Sequence, residues 1–240
     1  MSEEILKALT QLFAIITKQD GGVTERERQY VINFFQTELD QDTIKEYLDL
    51  YDQFSGYGKA EEEDGKKRLT SVKDSVKTLG ICKKINKTLT QKQKVVVLIK
   101  LMELVSTDKN FTPQRMEIIN TVSTVFNIVQ YEYDLIEQFV ISEDNESLNY
   151  PDILLLNSQE KNDDDRKNKH VHGHIGGTLI FMRVQSVDMY YTKYLGDESN
   201  MLNGFIMQPN RAYLFSHGST IKTQAGDALY YSDLVANFNE

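Results

Sequence analysis

The sequence predicts an α+β protein of two domains: an all-α bundle of about seven helices with an internal pseudo-twofold repeat, followed by a small β-sandwich. Three observations support this prediction. Apolar residues recur at helical spacing as far as Ser142. Short β-rich runs, separated by Gly, Asn and Asp turn residues, follow from Val171 onward. A polar stretch with few apolar residues lies between the two patterns.

The composition limits the kind of protein that this chain can be. Of its 240 residues, 40% are apolar and 26% are charged, which is typical of a soluble globular protein. The net charge of −9 disfavours nucleic acid as a partner, because phosphate backbones repel an acidic surface. Cys82 is the only cysteine, so an intrachain disulfide is excluded and a reducing compartment is favoured. No apolar run reaches the roughly 18 residues of a membrane-spanning helix, and we expect no direct membrane insertion.

Apolar stripes predict the helices in chain order. Pro113 is the only proline before residue 142, which agrees with uninterrupted helices. We therefore assign residues 1–142 to one helical bundle. The stripes span Ile5–Ile16, Val31–Leu39, Ile44–Phe54, Leu69–Ile85, Val95–Leu104, Met116–Phe126 and Tyr131–Val140.

The helical region repeats itself at an offset of 88 residues. The segment "DGGVT" at 20–24 aligns with "DKNFT" at 108–112, and apolar residues on both sides follow the same offset. Each copy reads as three helices with a short Asp-containing turn after the first, and the fourth helix connects the copies. Such a duplication predicts that each copy covers the apolar face of the other.

Both turns lead into a helix start. In the first copy Thr24 is placed as the N-cap and Glu27, three residues later, completes a capping box. In the second copy Thr112 is placed as the N-cap and Pro113 takes the first helical position, where its missing N–H is tolerated. Arg115 stands where the first copy has Glu27, so the second box is incomplete.

Capping explains the two aspartates less well. Asp20 and Asp108 each follow the C-terminal end of a helix, where the helix dipole disfavours negative charge. The segment "ITKQDGGVTERERQYV" resembles the motif of the TerB family, an A-x-x-D-G-x-[IV]-[ST]-x-x-E segment that occurs twice in an all-helical bundle. This domain type is found in tellurite-resistance proteins and in DjlA-like membrane co-chaperones, and the resemblance covers about residues 4–142.

The TerB resemblance implies a candidate site. Carried over residue by residue, it implies that Asp20, Glu27 and Asp108 form an acidic surface that binds a divalent cation. The alternative is that these residues serve the turns and caps alone. Arg115 favours that alternative, since its positive charge would lower the affinity for a cation.

The rest of the chain is divided into a linker and a second domain. Residues 143–169 form a polar linker with one strand candidate at 153–156, and residues 170–240 form the β-rich domain. Within it, "HVHGH" contains His170, His172 and His174, which would share one face of an extended chain and form a divalent-metal triad. The alternative is a polar strand edge without a metal.

A hairpin is predicted where Asn203-Gly204 separates two apolar runs. The segment "MLNGFIMQPNRAYLFSHGSTIKT" resembles the closing part of a forkhead-associated (FHA) β-sandwich. The Ser/Arg/His loop that reads phosphothreonine in that family is not present, so phosphopeptide recognition is not expected. A TerB-like bundle followed by such a domain resembles the N-terminal region of certain bacterial ABC-type transporter ATPases, in which a P-loop ATPase and membrane helices come later.

These patterns lead to one expected function and one alternative. We expect a non-catalytic regulatory or protein-interaction module that belongs to a membrane-associated ABC-type transport or stress-response protein. It would be cytoplasmic, at the inner face of the membrane through a later region, with a protein partner and no firm cofactor. The alternative is a metal-responsive sensor that binds a divalent cation at the acidic turns. No P-loop and no catalytic spacing occurs in the chain, so we expect no enzyme activity.

Overall fold

The computed structural model describes residues 2–19, 22–58, 64–160 and 165–239, and for residues 64–72 it describes the backbone. The predicted α+β layout is confirmed: a helical region is followed by a region of two sheets. The helices of the first region are α1 (Glu3–Thr17), α2 (Glu25–Glu38), α3 (Gln41–Ser55), α4 (Asp64–Asn86), α5 (Gln91–Ser106), α6 (Pro113–Val125) and α7 (Gln130–Ile141).

The helix positions confirm the duplication. The helices α5 and α6 begin at Gln91 and Pro113, which lie 88 residues after the starts of α1 and α2 at Glu3 and Glu25. The start of α7 is within one residue of the position that the same offset gives from α3. The long helix α4 connects the two copies, as the sequence predicted.

The chain divides into two compact units, Met1–Tyr133 and Asp134–Glu240, so the border between them lies inside α7. The helical spacing of apolar residues in the sequence continues to residue 142, which lies after this border. In the second unit, the fully buried Lys193 explains why the end of α7 belongs with the strands. Its Nζ donates hydrogen bonds to the last carbonyl groups of the α7 segment, those of Phe139, Val140 and Ser142, at 3.1, 3.0 and 2.6 Å.

Two sheets form the strand-rich unit. The five-stranded sheet has the order β2-β1-β3-β4-β7 and is antiparallel except for the β1–β2 pair, and the four-stranded sheet is antiparallel with the order β6-β5-β8-β9. The strands are β1 (Ile153–Asn157), β2 (Lys169–His172), β3 (Thr178–Val184), β4 (Met189–Leu195), β5 (Met201–Leu202), β6 (Phe205–Ile206), β7 (Tyr213–Phe215), β8 (Thr220–Lys222) and β9 (Ala228–Tyr230).

One apolar core is shared by the two sheets. Leu154 and Phe181 of the larger sheet and Leu202 and Ile221 of the smaller sheet belong to it. Every residue of β1 is buried, so this strand lies between two packed layers.

The structure confirms the strand candidate at 153–156 as β1 and the Asn203-Gly204 hairpin as the β5–β6 turn, in which both turn residues have positive φ. It differs from the prediction at the C-terminal end of the β-rich domain predicted for residues 170–240, which includes the segment "LYYSDL". Residues Tyr231–Phe238 form an eighth helix, α8, which places Leu234 and Phe238 in the core of the sheets. Within the described parts of the chain, no helix has the length and apolarity needed to cross a membrane.

Candidate functional site

The structure describes two of the three acidic candidates, and both contact Thr24. Asp20 lies outside the described residues. Glu27 lies in the first turn of α2 with its side chain fully buried. Asp108 follows α5, and its side chain is 20% exposed. The predicted three-residue acidic set as a whole therefore stays a prediction.

Glu27 completes the capping box that the sequence predicted. The Thr24 hydroxyl accepts a hydrogen bond from the Glu27 N–H at 3.2 Å, and Oε1 of Glu27 accepts one from the Thr24 N–H at 3.1 Å. Both contacts satisfy backbone N–H groups that a helix start leaves without intrahelical partners. The carboxylate is therefore fixed against the backbone on one side.

Arg115 of the second copy fixes the Glu27 carboxylate on the other side. Its Nη1 pairs with Oε2 of Glu27, and its Nη2 donates to Oε1 at 3.4 Å. Both side chains have no exposed surface. The two residues are 88 positions apart, so they occupy equivalent positions in the two copies. Arg115, which leaves the second capping box incomplete, thus forms a buried ion pair with Glu27 of the first copy.

The same guanidinium closes the end of α1. The Nη2 of Arg115 donates to the carbonyl of Thr17 at 2.8 Å, and its Nε donates to the carbonyl of Gln19 at 3.3 Å. The last turn of α1 has no basic residue of its own, although the terminal carbonyl groups and the helix dipole favour positive charge there. Arg115 supplies that charge from α6.

The turn of the second copy is tied to the first copy by Asp108. Its carboxylate accepts a hydrogen bond from the Thr24 hydroxyl, and the largely exposed Arg26 lies 3.8 Å from it. Locally, the end of α5 is closed by its own backbone. The N–H groups of Lys109 and Asn110 donate back into the last turn, and Lys109 adopts the left-handed conformation with φ of 52°.

The polar contacts extend from the turns into the bundle. The hydroxyl groups of Thr17 and Tyr51 are hydrogen-bonded at 2.8 Å, which joins α3 to the end of α1. Burial raises the pKa of the Tyr51 phenol above its ordinary value, so this hydroxyl stays protonated at neutral pH. A continuous set of hydrogen bonds therefore runs from Tyr51 through Thr17, Arg115 and Glu27 to the second turn.

The histidine triad of the strand-rich unit stays a prediction, and two of its members lie close together, with the ring centroids of His172 and His174 5.6 Å apart. The strand β2 ends at His172, and His174 lies beyond it. His170 pairs its Nε2 with Oδ1 of Asn157 at 2.7 Å. Within the described ranges, no group of three or more His, Cys, Asp or Glu side chains is arranged to hold a metal ion.

An apolar surface that the sequence analysis did not single out lies on the four-stranded sheet. Paired residues share a face, and the pairs Met201–Ile206, Met201–Lys222 and Lys222–Ala228 place these four side chains on the face opposite to the core. We call this row the outer face of the small sheet. Ile206 is 58% exposed, whereas Phe205, which is 78% exposed, pairs with Leu202 and lies on the other face of β6.

The sequence contains a signal for the Glu27–Arg115 pair and for the exposed apolar hairpin, although neither was predicted. The charge reversal between Glu27 and Arg115 at equivalent positions was visible, and opposite charges related by a repeat are candidates for pairing. The hairpin "MLNGFIM" was also visible, with apolar residues at consecutive positions on both sides of the turn. A strand with only one buried face cannot bury consecutive apolar residues, which indicates that some are exposed.

Comparisons with known proteins agree with the helical part of this picture. Residues 6–138, just over half of the chain, match the family model described as "Tellurite resistance protein TerB". The comparisons with curated proteins and with solved structures gave no match.

Proposed function

The chain belongs to the tellurite resistance protein TerB family, and on that basis we propose that it is a non-catalytic protein-interaction module with a role in tellurite resistance or a related stress response. In this proposal the helical unit is a rigid body whose buried charges serve its own fold. The strand-rich unit supplies the surface that a partner protein contacts.

The observation that carries the proposal is the outer face of the small sheet. Met201 and Ile206 of the outer face are exposed large apolar side chains on one hairpin, and Tyr230 of β9 is also exposed. Exposed apolar side chains that form a contiguous patch mark binding surfaces, whereas isolated ones are ordinary. The strand β6 is also an edge strand, whose free backbone groups can pair with a partner.

Two features support a role without catalysis. The buried pair Glu27–Arg115 is engaged in capping and in tying the copies together, so neither side chain is available as an acid or base. Burial raises the pKa of the Cys82 thiol to about 12, which makes it a poor nucleophile at neutral pH.

We further propose that this module is the N-terminal part of a membrane-associated ABC-type transport or stress-response protein and that its sheets form an FHA-like sandwich. The order of the two parts supports this context, because a TerB domain is followed by a two-sheet unit. Reading the gene beyond the codon for Glu240 tests it. A P-loop ATPase with membrane helices is expected, and a stop codon there would contradict the context but not the interaction role.

Photo-crosslinking in host cells tests the interaction role. A benzoylphenylalanine at position 206, the partner of Met201 on the outer face, should give a crosslink to one partner protein, and the substitution Met201→Asp in the same chain should abolish it. The matched control is the same probe at Leu214, which is exposed in the same unit but lies on the other sheet. Equal crosslinking at both positions, or crosslinking at position 206 that survives Met201→Asp, would contradict the proposal. A product formed only with a second copy of this chain would also contradict it, by making the surface a dimer interface.

A further inference from the structure

The guanidinium of Arg115 lies among five oxygen atoms. Three are backbone carbonyl oxygens, those of Thr17, Gln19 and Gly22 at 2.8, 3.3 and 3.3 Å. The other two are the carboxylate oxygens of Glu27. The Arg115 side chain has no exposed surface. Nearly every donor of the guanidinium is thus directed at an oxygen of the first copy.

Such a set of oxygens has the chemistry of a cation site. Carboxylate and backbone carbonyl oxygens are the ligands that Ca²⁺ takes in proteins, in sets of about six to eight. Here the two carboxylate oxygens and three carbonyl oxygens converge at the end of a helix, where the dipole adds further negative potential. We propose that the junction between the two copies is an oxygen-lined cation site that the chain closes with its own Arg115 guanidinium.

This proposal differs from the divalent-cation site that the TerB resemblance implies for the acidic turns. Both oxygens of Glu27 are already engaged by Arg115 and by the Thr24 N–H. A metal ion at Glu27 would also meet the permanent positive charge of the guanidinium at contact distance. Glu27 therefore does not fit a metal in this chain, and a tethered cation takes the place that a metal would need.

Chemical rescue tests the proposal. In Arg115→Ala the oxygens lose their cation, and the melting temperature of the helical unit should fall by roughly 6–20 °C, as expected for a broken buried ion pair. Added methylguanidinium, or Ca²⁺ alone, should restore a large part of this loss. The methylguanidinium is used at about 10 mM, because the denaturing action of guanidinium ions scales with concentration and is small there.

The matched control is Arg26→Ala, which removes an arginine beside the same turns whose side chain is 79% exposed. Its melting temperature should stay close to that of the unsubstituted protein, and neither cation should change it. The unsubstituted protein should also melt at the same temperature with Ca²⁺ and with a chelator. A rise with Ca²⁺ in the unsubstituted protein would overturn the proposal. An Arg115→Ala protein that neither cation restores, or that is as stable as the unsubstituted protein, would overturn it as well.

A second measurement serves if Arg115→Ala does not fold under any condition. Nitrogen-edited NMR of the unsubstituted protein should show the Nη hydrogens of Arg115 as separate, slowly exchanging signals, because both Nη atoms donate to oxygens of the first copy. These signals should not move when Ca²⁺ is added. Averaged signals, or signals that Ca²⁺ displaces, would show that the guanidinium does not fill the site.

Discussion

At the end of α1, the carbonyl groups of Thr17 and Gln19 accept hydrogen bonds from a side chain of the other copy. At the equivalent end of α5, backbone N–H groups from the following turn, including that of Asn110, donate back into the helix. The two turns have the same position in their copies, but they contact the other copy differently. A guanidinium of the second copy donates to the end of α1, whereas a carboxylate of the second turn accepts a hydrogen bond from Thr24 of the first copy.

This difference shows what a duplication can gain by diverging. Equivalent residues of two copies meet near a pseudo-twofold axis, where two identical charged side chains would repel each other. The change from glutamate at position 27 to arginine at position 115 turns that repulsion into an ion pair. Neither copy alone could form this contact, so the pair makes the two copies one structural body.

The largest expected effect comes from removing the negative charge of the first copy. Glu27→Gln keeps the capping-box geometry, because Gln also serves at this position, but it leaves Arg115 buried without a counter-charge. We expect a loss of about 3–5 kcal/mol in the free energy of unfolding. The measurement is the urea midpoint of the helical circular-dichroism signal.

The control for Glu27→Gln is Gln93→Glu in the exposed capping box of α5, where Thr90 is the N-cap. This variant makes the reverse exchange at the third helical position of a different capping box. It should change the free energy of unfolding by less than about 0.5 kcal/mol. Equal effects of the two exchanges would mean that the pairing of the copies contributes nothing.

The two N-caps provide the next comparison. Thr24→Ala removes a cap and also the hydrogen bond to the Asp108 carboxylate, whereas Thr112→Ala removes a cap alone. We expect losses of about 2 and about 1 kcal/mol, respectively, since a hydrogen bond to a charged group adds to the ordinary cap contribution. Urea unfolding of both variants decides the order. A larger loss for Thr112→Ala would contradict the tie between the turns.

A smaller effect of opposite sign is expected in the second turn. Lys109 adopts a left-handed conformation with φ of 52°, which glycine adopts at little cost. Lys109→Gly should raise the free energy of unfolding by about 0.5 kcal/mol. As a control, Gly56→Ala at the end of α3, with φ of 72° and open space around it, should lower that energy by about 1 kcal/mol. Both changes can be read from the same unfolding curves.

The connector helix α4 gives the smallest effect near neutral pH. Burial raises the pKa of the Cys82 thiol from 9.0 to about 12. The folded state therefore holds the proton more tightly than the unfolded state, and the stability from this group is complete below pH 9 and is lost as the pH rises from 9 towards 12.

Two measurements check this statement about Cys82. A thiol reagent at pH 8 should react with the native protein far more slowly than with the urea-unfolded protein. Between pH 9 and 11, Cys82→Ala should lose stability less steeply than the unsubstituted protein. Fast labelling of the native protein would show that the thiol is not buried.

Much of the helical unit could be predicted from the sequence because its signals are local. The cap residues Thr24 and Thr112 and the apolar register between them fixed the helix starts to within a residue. The hairpin at Asn203-Gly204 was equally local, since the turn conformation depends on those two residues.

The parts that could not be predicted depend on distant neighbours. The hydrogen bonds from Arg115 to the end of α1 depend on how the two copies pack, and the sequence of α6 alone does not show that packing. The helix α8 was missed because "LYYSDL" is a short apolar run, and such runs fit a strand or a buried helix equally well. The burial of β1 on both faces was also hidden, because it depends on what packs against its sheet.

The most direct test of the central claim is a double-mutant cycle on Glu27 and Arg115. The account predicts that Glu27→Gln and Arg115→Gln each lower the free energy of unfolding by about 3–5 kcal/mol, because each leaves a buried charge unpaired. The double variant should be more stable than the sum of these losses allows, with a coupling of at least about 2 kcal/mol. Additive losses would contradict the claim that this ion pair joins the two copies.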